Sequence, residues 1–301
     1  MKKQLLAISM LALLILAGCD TRGPVEFDQQ IVVEGYLIAG EPFGPIRVSR
    51  TAPLDATYDP ADLAVRDAAV EVQMLDASGQ VAARYPFTRA GFGVYLTPSQ
   101  VTVRPEATYR LFVTIPGRST PVTAQTTVPA AIHVRYASAD SLVYQGPEQL
   151  EVQIAGKSAS ERQRVFVFTT EALSPFADNL TPFARALYDN GDVELQDLRT
   201  GSSPLLNEAN YRVVDDNTIA VQLPWIAISF YGFNRLFISV VDDNYYDFRR
   251  TADVQQGGST LAPGEIPNVL DHVDGGTGVF GSLARASTRL YVKRPPGIAG
   301  N

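Results

Sequence analysis

Cysteine occurs once in these 301 residues, at Cys19; tryptophan occurs once, at Trp225, and histidine twice, at His133 and His272. Each scarcity excludes something. A single thiol closes no disulfide within the chain, so stability has to come from a hydrophobic core. Two histidines cannot build a three-histidine zinc centre, and no His-Glu-x-x-His run exists. No Gly-x-Ser-x-Gly elbow occurs, which removes one esterase class. Positive charge is also short. Lysine and arginine total 25 against 32 acids, for a net charge of −7. That balance argues against nucleic acid as a partner. Long apolar runs are missing too: residues 5–16 form the longest, well below the roughly 20 a membrane-spanning helix needs.

That short run sits in a three-part leader. Lys2 and Lys3 precede it, Ser9 alone interrupts it, and Leu16-Ala17-Gly18-Cys19 follows. The layout predicts a lipoprotein signal over 1–18, cleaved before Cys19, whose thiol then carries the lipid. Loss of both leader lysines takes the net charge from −7 to −9. Two or more acyl chains make a stable anchor, so membrane attachment at Cys19 is expected. Acylation also leaves no thiol for a metal or a nucleophile. Residues 19–30 are polar, with Gly23-Pro24, and read as a flexible tether.

Beyond the tether the pattern is that of a mainly β protein. Hydrophobic residues make up 46%, while 23 glycines and 20 prolines punctuate short apolar runs. Strands are predicted over 31–38, 46–50, 69–75, 80–87, 91–96, 109–115 and 122–128, at spacings that suit a sandwich. The segment 31–129 is therefore expected to be an immunoglobulin-like or transthyretin-like β-sandwich, able to fold as a fragment from Gln29 to Pro129. Pro129-Ala130 marks the boundary. A second β-rich domain follows over 130–295, with strands at 150–154, 164–170, 236–241 and 287–292 and a hairpin at 211–223. One short helix is predicted over 179–188, and another over 244–255 with Asp243 as its cap. Residues 296–301 form a tail.

Several clusters invite a site. Asp55, Asp59 and Asp62 share a loop, but Pro60 interrupts them and no EF-hand spacing is present. Asp242, Asp243, Asn244 and Asp247 suit a helix start better than a calcium or sugar contact. Trp225 with Phe230, Tyr231 and Phe233 offers a sugar-stacking platform, against which a lone tryptophan is more often core. Residues 272–281 carry the densest glycines, without the Lys-Ser/Thr of a phosphate loop. Paired carboxylates for sugar hydrolysis are not selected by any spacing. No catalytic residue, metal site or cofactor is assigned.

Three stretches carry a resemblance: Ile31-Val32-Val33-Glu34-Gly35-Tyr36, the run from Arg47 through Pro53 with Val70-Glu71-Val72 beyond it, and Val273 through Gly281. Together they resemble the Bacteroidota lipoproteins that carry domain of unknown function 4249. Thr277 stands where that family's last motif has an aliphatic or aromatic residue. The resemblance implies an outer-membrane lipoprotein, often encoded beside a TonB-dependent receptor, with no activity to carry over. The leading expectation is a non-catalytic accessory of such a transporter, as partner subunit or substrate-capture module. A free-standing surface protein binding glycan or peptide is second, and a hydrolase third. Gly275, Gly276, Gly278 and Phe280 are the candidate contact residues for a partner, set against a purely structural turn.

Overall fold

The computed structural model describes residues 27–53, 56–57, 59–98, 100–156, 164–207, 211–223, 225, 228–253 and 269–297. The leader, Cys19, most of the tether and Asp55 lie outside the described residues, as do the last four residues of the tail. The chain is mainly β. Strands β1 (Ile31–Ile38), β2 (Ile46–Arg50) and β3 (Ala69–Leu75) fall where the alternation predicts them. They are followed by β4 (Val81–Arg89), β5 (Val94–Leu96), β6 (Thr108–Thr114) and β7 (Val122–Thr127), with the one-turn helix α1 (Pro60–Leu63) between β2 and β3. In β1 every second residue, from Ile31 to Leu37, faces inward, as period-two patterning demands. These strands close around one core that includes Val33, Val72, Leu111 and Val122.

Val128 belongs to that core and Ile132 to the next, so the chain passes from one to the other at Pro129-Ala130. The second part starts with β8 (His133–Ala137), β9 (Ser141–Val143), β10 (Glu151–Ala155) and β11 (Val165–Ala172). Helix α2 (Pro182–Asp189) has Pro182 in its first turn, where a missing N–H costs nothing. Then come β12 (Thr200–Ser202), β13 (Leu206–Asn207), β14 (Arg212–Asp215), β15 (Thr218–Gln222), β16 (Gly232–Val241), α3 (Asp243–Asp253), β17 (Val273–Asp274) and β18 (Thr277–Lys293). Strands β14, β15, β10 and β8 form a separate four-stranded sheet. It packs on the inner face of β11, β16 and β18, burying Phe166, Phe168, Leu236 and Ile238.

The last strand is the main correction to the sequence reading. The alternation predicts it over 287–292, but it runs for 17 residues and starts inside the glycine-rich segment. Its first part lies parallel to β1, from Val32 opposite Thr277 to Ile38 opposite Leu283. From Leu283 to Val292 it runs antiparallel to β16, and its end lies parallel to β9. Phe280 fills the first core while Ala284, Leu290 and Val292 fill the second. One strand therefore belongs to both halves.

Candidate functional site

Strand β16 is paired on both sides, with β11 and β18, and the even-numbered side chains of these three strands, Phe166, Phe168, Leu236, Ile238, Ala284 and Leu290 among them, fill the second core. Their odd-numbered side chains stand on the opposite face, in register, as a ladder of rows. Phe233 faces Tyr291, and Leu173 bonds back to Phe233 from the neighbouring strand. The next row is Glu171, Arg235 and Arg289. Thr169, Phe237 and Ser287 follow, then Val167, Ser239 and Arg285. The part of this face from Glu171, Arg235 and Phe237 to Ser239 and Arg285 lines a groove of about 410 Å3, a volume within the range of small-ligand sites.

The groove is built from cations, aromatic rings and hydroxyls. Arg285 makes a two-pronged pair with Glu41, at 2.6 and 2.7 Å. Its guanidinium also lies 4.7 Å from the centre of the Phe237 ring, with that of Arg235 at 5.9 Å. Glu171 is shared by Arg199 at 2.9 Å and Arg235 at 3.6 Å. Three guanidiniums thus meet two carboxylates, with Arg289 standing opposite Arg235 as a fourth, in a chain whose net charge is −7. Part-exposed pairs of this kind contribute about 1 kcal/mol or less each, so stability alone does not account for the cluster.

The glycine-rich segment has a different job from the one expected of it. A Cβ on Gly278, whose φ is +114°, would stand 2.1 Å from the Val33 carbonyl oxygen. One on Gly276 would stand 2.6 Å from the Ile31 carbonyl oxygen, and one on Gly275 2.7 Å from that of Pro121. Gly278 and Phe280 are buried. These glycines let β1 and β7 approach the last strand, and Phe280 packs inside the first core. Of the four residues expected to contact a partner, Gly278 and Phe280 are thus buried inside the fold, while Gly275 is exposed and Gly276 half-buried where they serve the same close approach.

The other clusters resolve locally. Asp59 caps α1 by accepting from the Ala61 N–H at 2.8 Å, and Asp62 is part of that turn. The tryptophan platform splits apart. Trp225 packs edge-to-face on Tyr144 against the second core, Phe230 and Tyr231 are buried, and Phe233 alone reaches the open face. His133 lies exposed on β8, while His272 bonds Asp247 of α3 at 2.9 Å. Among the described residues no group of three or more His, Cys, Asp or Glu side chains is placed to hold a metal ion.

The cap of α3 is Asp242 rather than Asp243. One oxygen, Oδ1, accepts from the Tyr245 and Ser282 N–H groups, each at 3.0 Å, and Oδ2 accepts from the Thr126 hydroxyl. Asn244 donates to the Gln125 carbonyl at 2.7 Å and the Phe280 carbonyl at 2.9 Å. Together they clasp β7, β18 and the β16–α3 corner, where the two halves meet. Burial pushes the Asp242 carboxyl up, outweighing the hydrogen bonds that lower it. The folded chain therefore holds its proton more tightly than the unfolded chain. Stability then falls as pH rises from the usual 3.8 to the raised value, and stays level above it. Asp242→Asn keeps the cap and should remove this slope. Asp242→Ala should cost about 2–3 kcal/mol, since it strips the cap and leaves buried donors unmatched. Urea unfolding across acidic to neutral pH measures both. An unchanged slope in the Asn variant would show that another group titrates.

Comparison with solved structures finds matches at low identity. Salmonella α2-macroglobulin reacted with methylamine is 12% identical, with 89% of this chain and 15% of that one covered, at a TM-score of 0.25. A DUF4785 family protein from Legionella pneumophila is 9% identical over 72% of this chain and 54% of that one, at 0.27. The FN1–FN3 domains of chicken CNTN1 are 8% identical over 69% and 59%, at 0.23. This chain thus spans about a seventh of the first and about half of the second. TM-scores this low carry no argument about shared function. No curated protein matches the sequence. A family model does, across residues 20–289, which takes in the first core, most of the second and all but the end of the strand they share. The chain belongs to the family defined by the domain of unknown function DUF4249.

Proposed function

We propose that this chain is a non-catalytic lipoprotein of the Bacteroidota outer membrane, anchored through Cys19, which captures a ligand on its open sheet face for a TonB-dependent transporter. The observation that carries the reading is the ladder of β11, β16 and β18, rich in arginine, aromatic and hydroxyl groups, with Phe233, Arg289 and Tyr291 exposed among the described residues. The leader ending at Cys19 and the resemblance to receptor-linked lipoproteins support the location and the partner. A tethered binding face raises the local ligand concentration at a neighbouring transporter, so even a weak contact becomes effective.

Two measurements test it. Cys19→Ser should abolish fatty-acid labelling and leave the leader uncleaved by the lipoprotein pathway. Equal labelling of both forms rejects the anchor. Affinity purification of the tagged lipoprotein from detergent-solubilised outer membrane should enrich a TonB-dependent receptor over an untagged control. Recovery without any receptor would favour a free-standing binding protein instead.

A further inference from the structure

Arg235 and Arg289 stand directly opposite each other on antiparallel neighbours. Like charges in that position weaken a sheet, so the fold gains nothing from the pair. Arg289 has no ion-pair partner among the described residues, while Arg235 shares Glu171 with Arg199. Beside this row Phe233 and Tyr291 also stand opposite, with rings 4.8 Å apart and tilted by 73°. They remain 56% and 39% exposed, although side chains of this size are normally covered where a core can take them. Adjacent rows on one face lie about 7 Å apart, so one ligand unit can touch both.

Building on the capture reading, we infer that this face binds an acidic polysaccharide made of uronate residues. The aromatic pair packs against the apolar face of a sugar ring. The arginine pair takes that sugar's carboxylate, the geometry a guanidinium fork matches best. Ser287, in the following row, meets the hydroxyls of the adjoining sugar. Phe233, Ser287, Arg289 and Tyr291 are exposed on the stretch of sheet beside the groove, so a polymer can cross them. A peptide fits less well, because the groups gathered here are side chains on a sheet face, with a guanidinium pair beside an aromatic pair, rather than the backbone edge that strand addition uses.

The test is calorimetric titration of the full-length lipoprotein in detergent. The probes are oligomers of galacturonate, of mannuronate and of a glucuronate-containing glycan, with methyl-esterified oligogalacturonate and polyglutamate of matched length as controls. At least one uronate oligomer should bind, at least tenfold more tightly than both controls. Arg289→Gln should weaken that binding at least tenfold with its melting temperature equal to wild type or higher, because a like-charge contact is removed. Phe233→Ala should also weaken it. The inference is overturned if none of the three uronates binds, or if either control binds as tightly. It is equally overturned if Arg289→Gln binds like wild type, or loses binding only together with melting temperature. Receptor co-purification from the same cells separates the two ideas. Receptor without uronate binding rejects this inference alone, and uronate binding without receptor rejects the transporter partnership alone.

Discussion

Gly278→Val should leave the protein unfolded at room temperature. The new side chain would begin 2.1 Å from the Val33 carbonyl oxygen, in backbone with φ +114° that a β-branched residue does not adopt. Relief requires separating β18 from β1, which gives up their parallel pairing and the seat of Phe280. A cost of about 5 kcal/mol or more is expected, comparable with the whole stability of an ordinary domain. Gly79→Ala is the control. Gly79 also has positive φ, +79°, but an added Cβ there meets nothing within 4 Å, so about 1 kcal/mol should be lost. Far-UV circular dichroism and urea midpoints measure both. A Gly278→Val chain with a wild-type midpoint would mean that β1 and β18 are not neighbours.

The second large effect concerns a fragment from Gln29 to Pro129. Strand spacing alone predicts that it folds by itself. The structure argues otherwise, because β1 would lose its register partners from Thr277 to Leu283 and the core would lose Phe280, which is 1% exposed. An aromatic removed from a core costs about 3–5 kcal/mol before any lost strand pairing is counted. The fragment should show little cooperative melting alone and regain it when a peptide covering residues 270–284 is added. Cooperative melting without the peptide would show that the first core is self-sufficient.

Much of the fold was legible because alternation is a local signal. Residues 31–38, 46–50 and 69–75 announce their strands by period two, and Pro182 marks the start of α2. The glycine-rich segment misled for a physical reason. Glycine weakens strands and marks turns, yet here Gly276 and Gly278 are required within or beside a strand because another backbone lies against them. Parallel pairing between the two ends of the chain leaves no trace in a short window. The cap shifted by one residue for a similar cause. Asp242 and Asp243 look alike locally, and only the Thr126 and Ser282 groups, brought in from elsewhere, decide between them. The candidate face was glimpsed only through Phe233. Arg235 and Arg289 lie far apart in sequence, and their opposition exists only once β16 and β18 are in register.

The shared strand also sets a timetable. Glu41 meets Arg285 across 244 positions of chain, so the first strand made is completed by the last. Closing so long a loop costs about 5 kcal/mol by the logarithmic rule, before any contact repays it. Such high contact order slows folding. While synthesis is unfinished, β1 carries an unpaired edge, the feature through which strands join wrong partners. A truncation that removes residues 277–293 would leave that edge permanently open and convert a folding delay into aggregation.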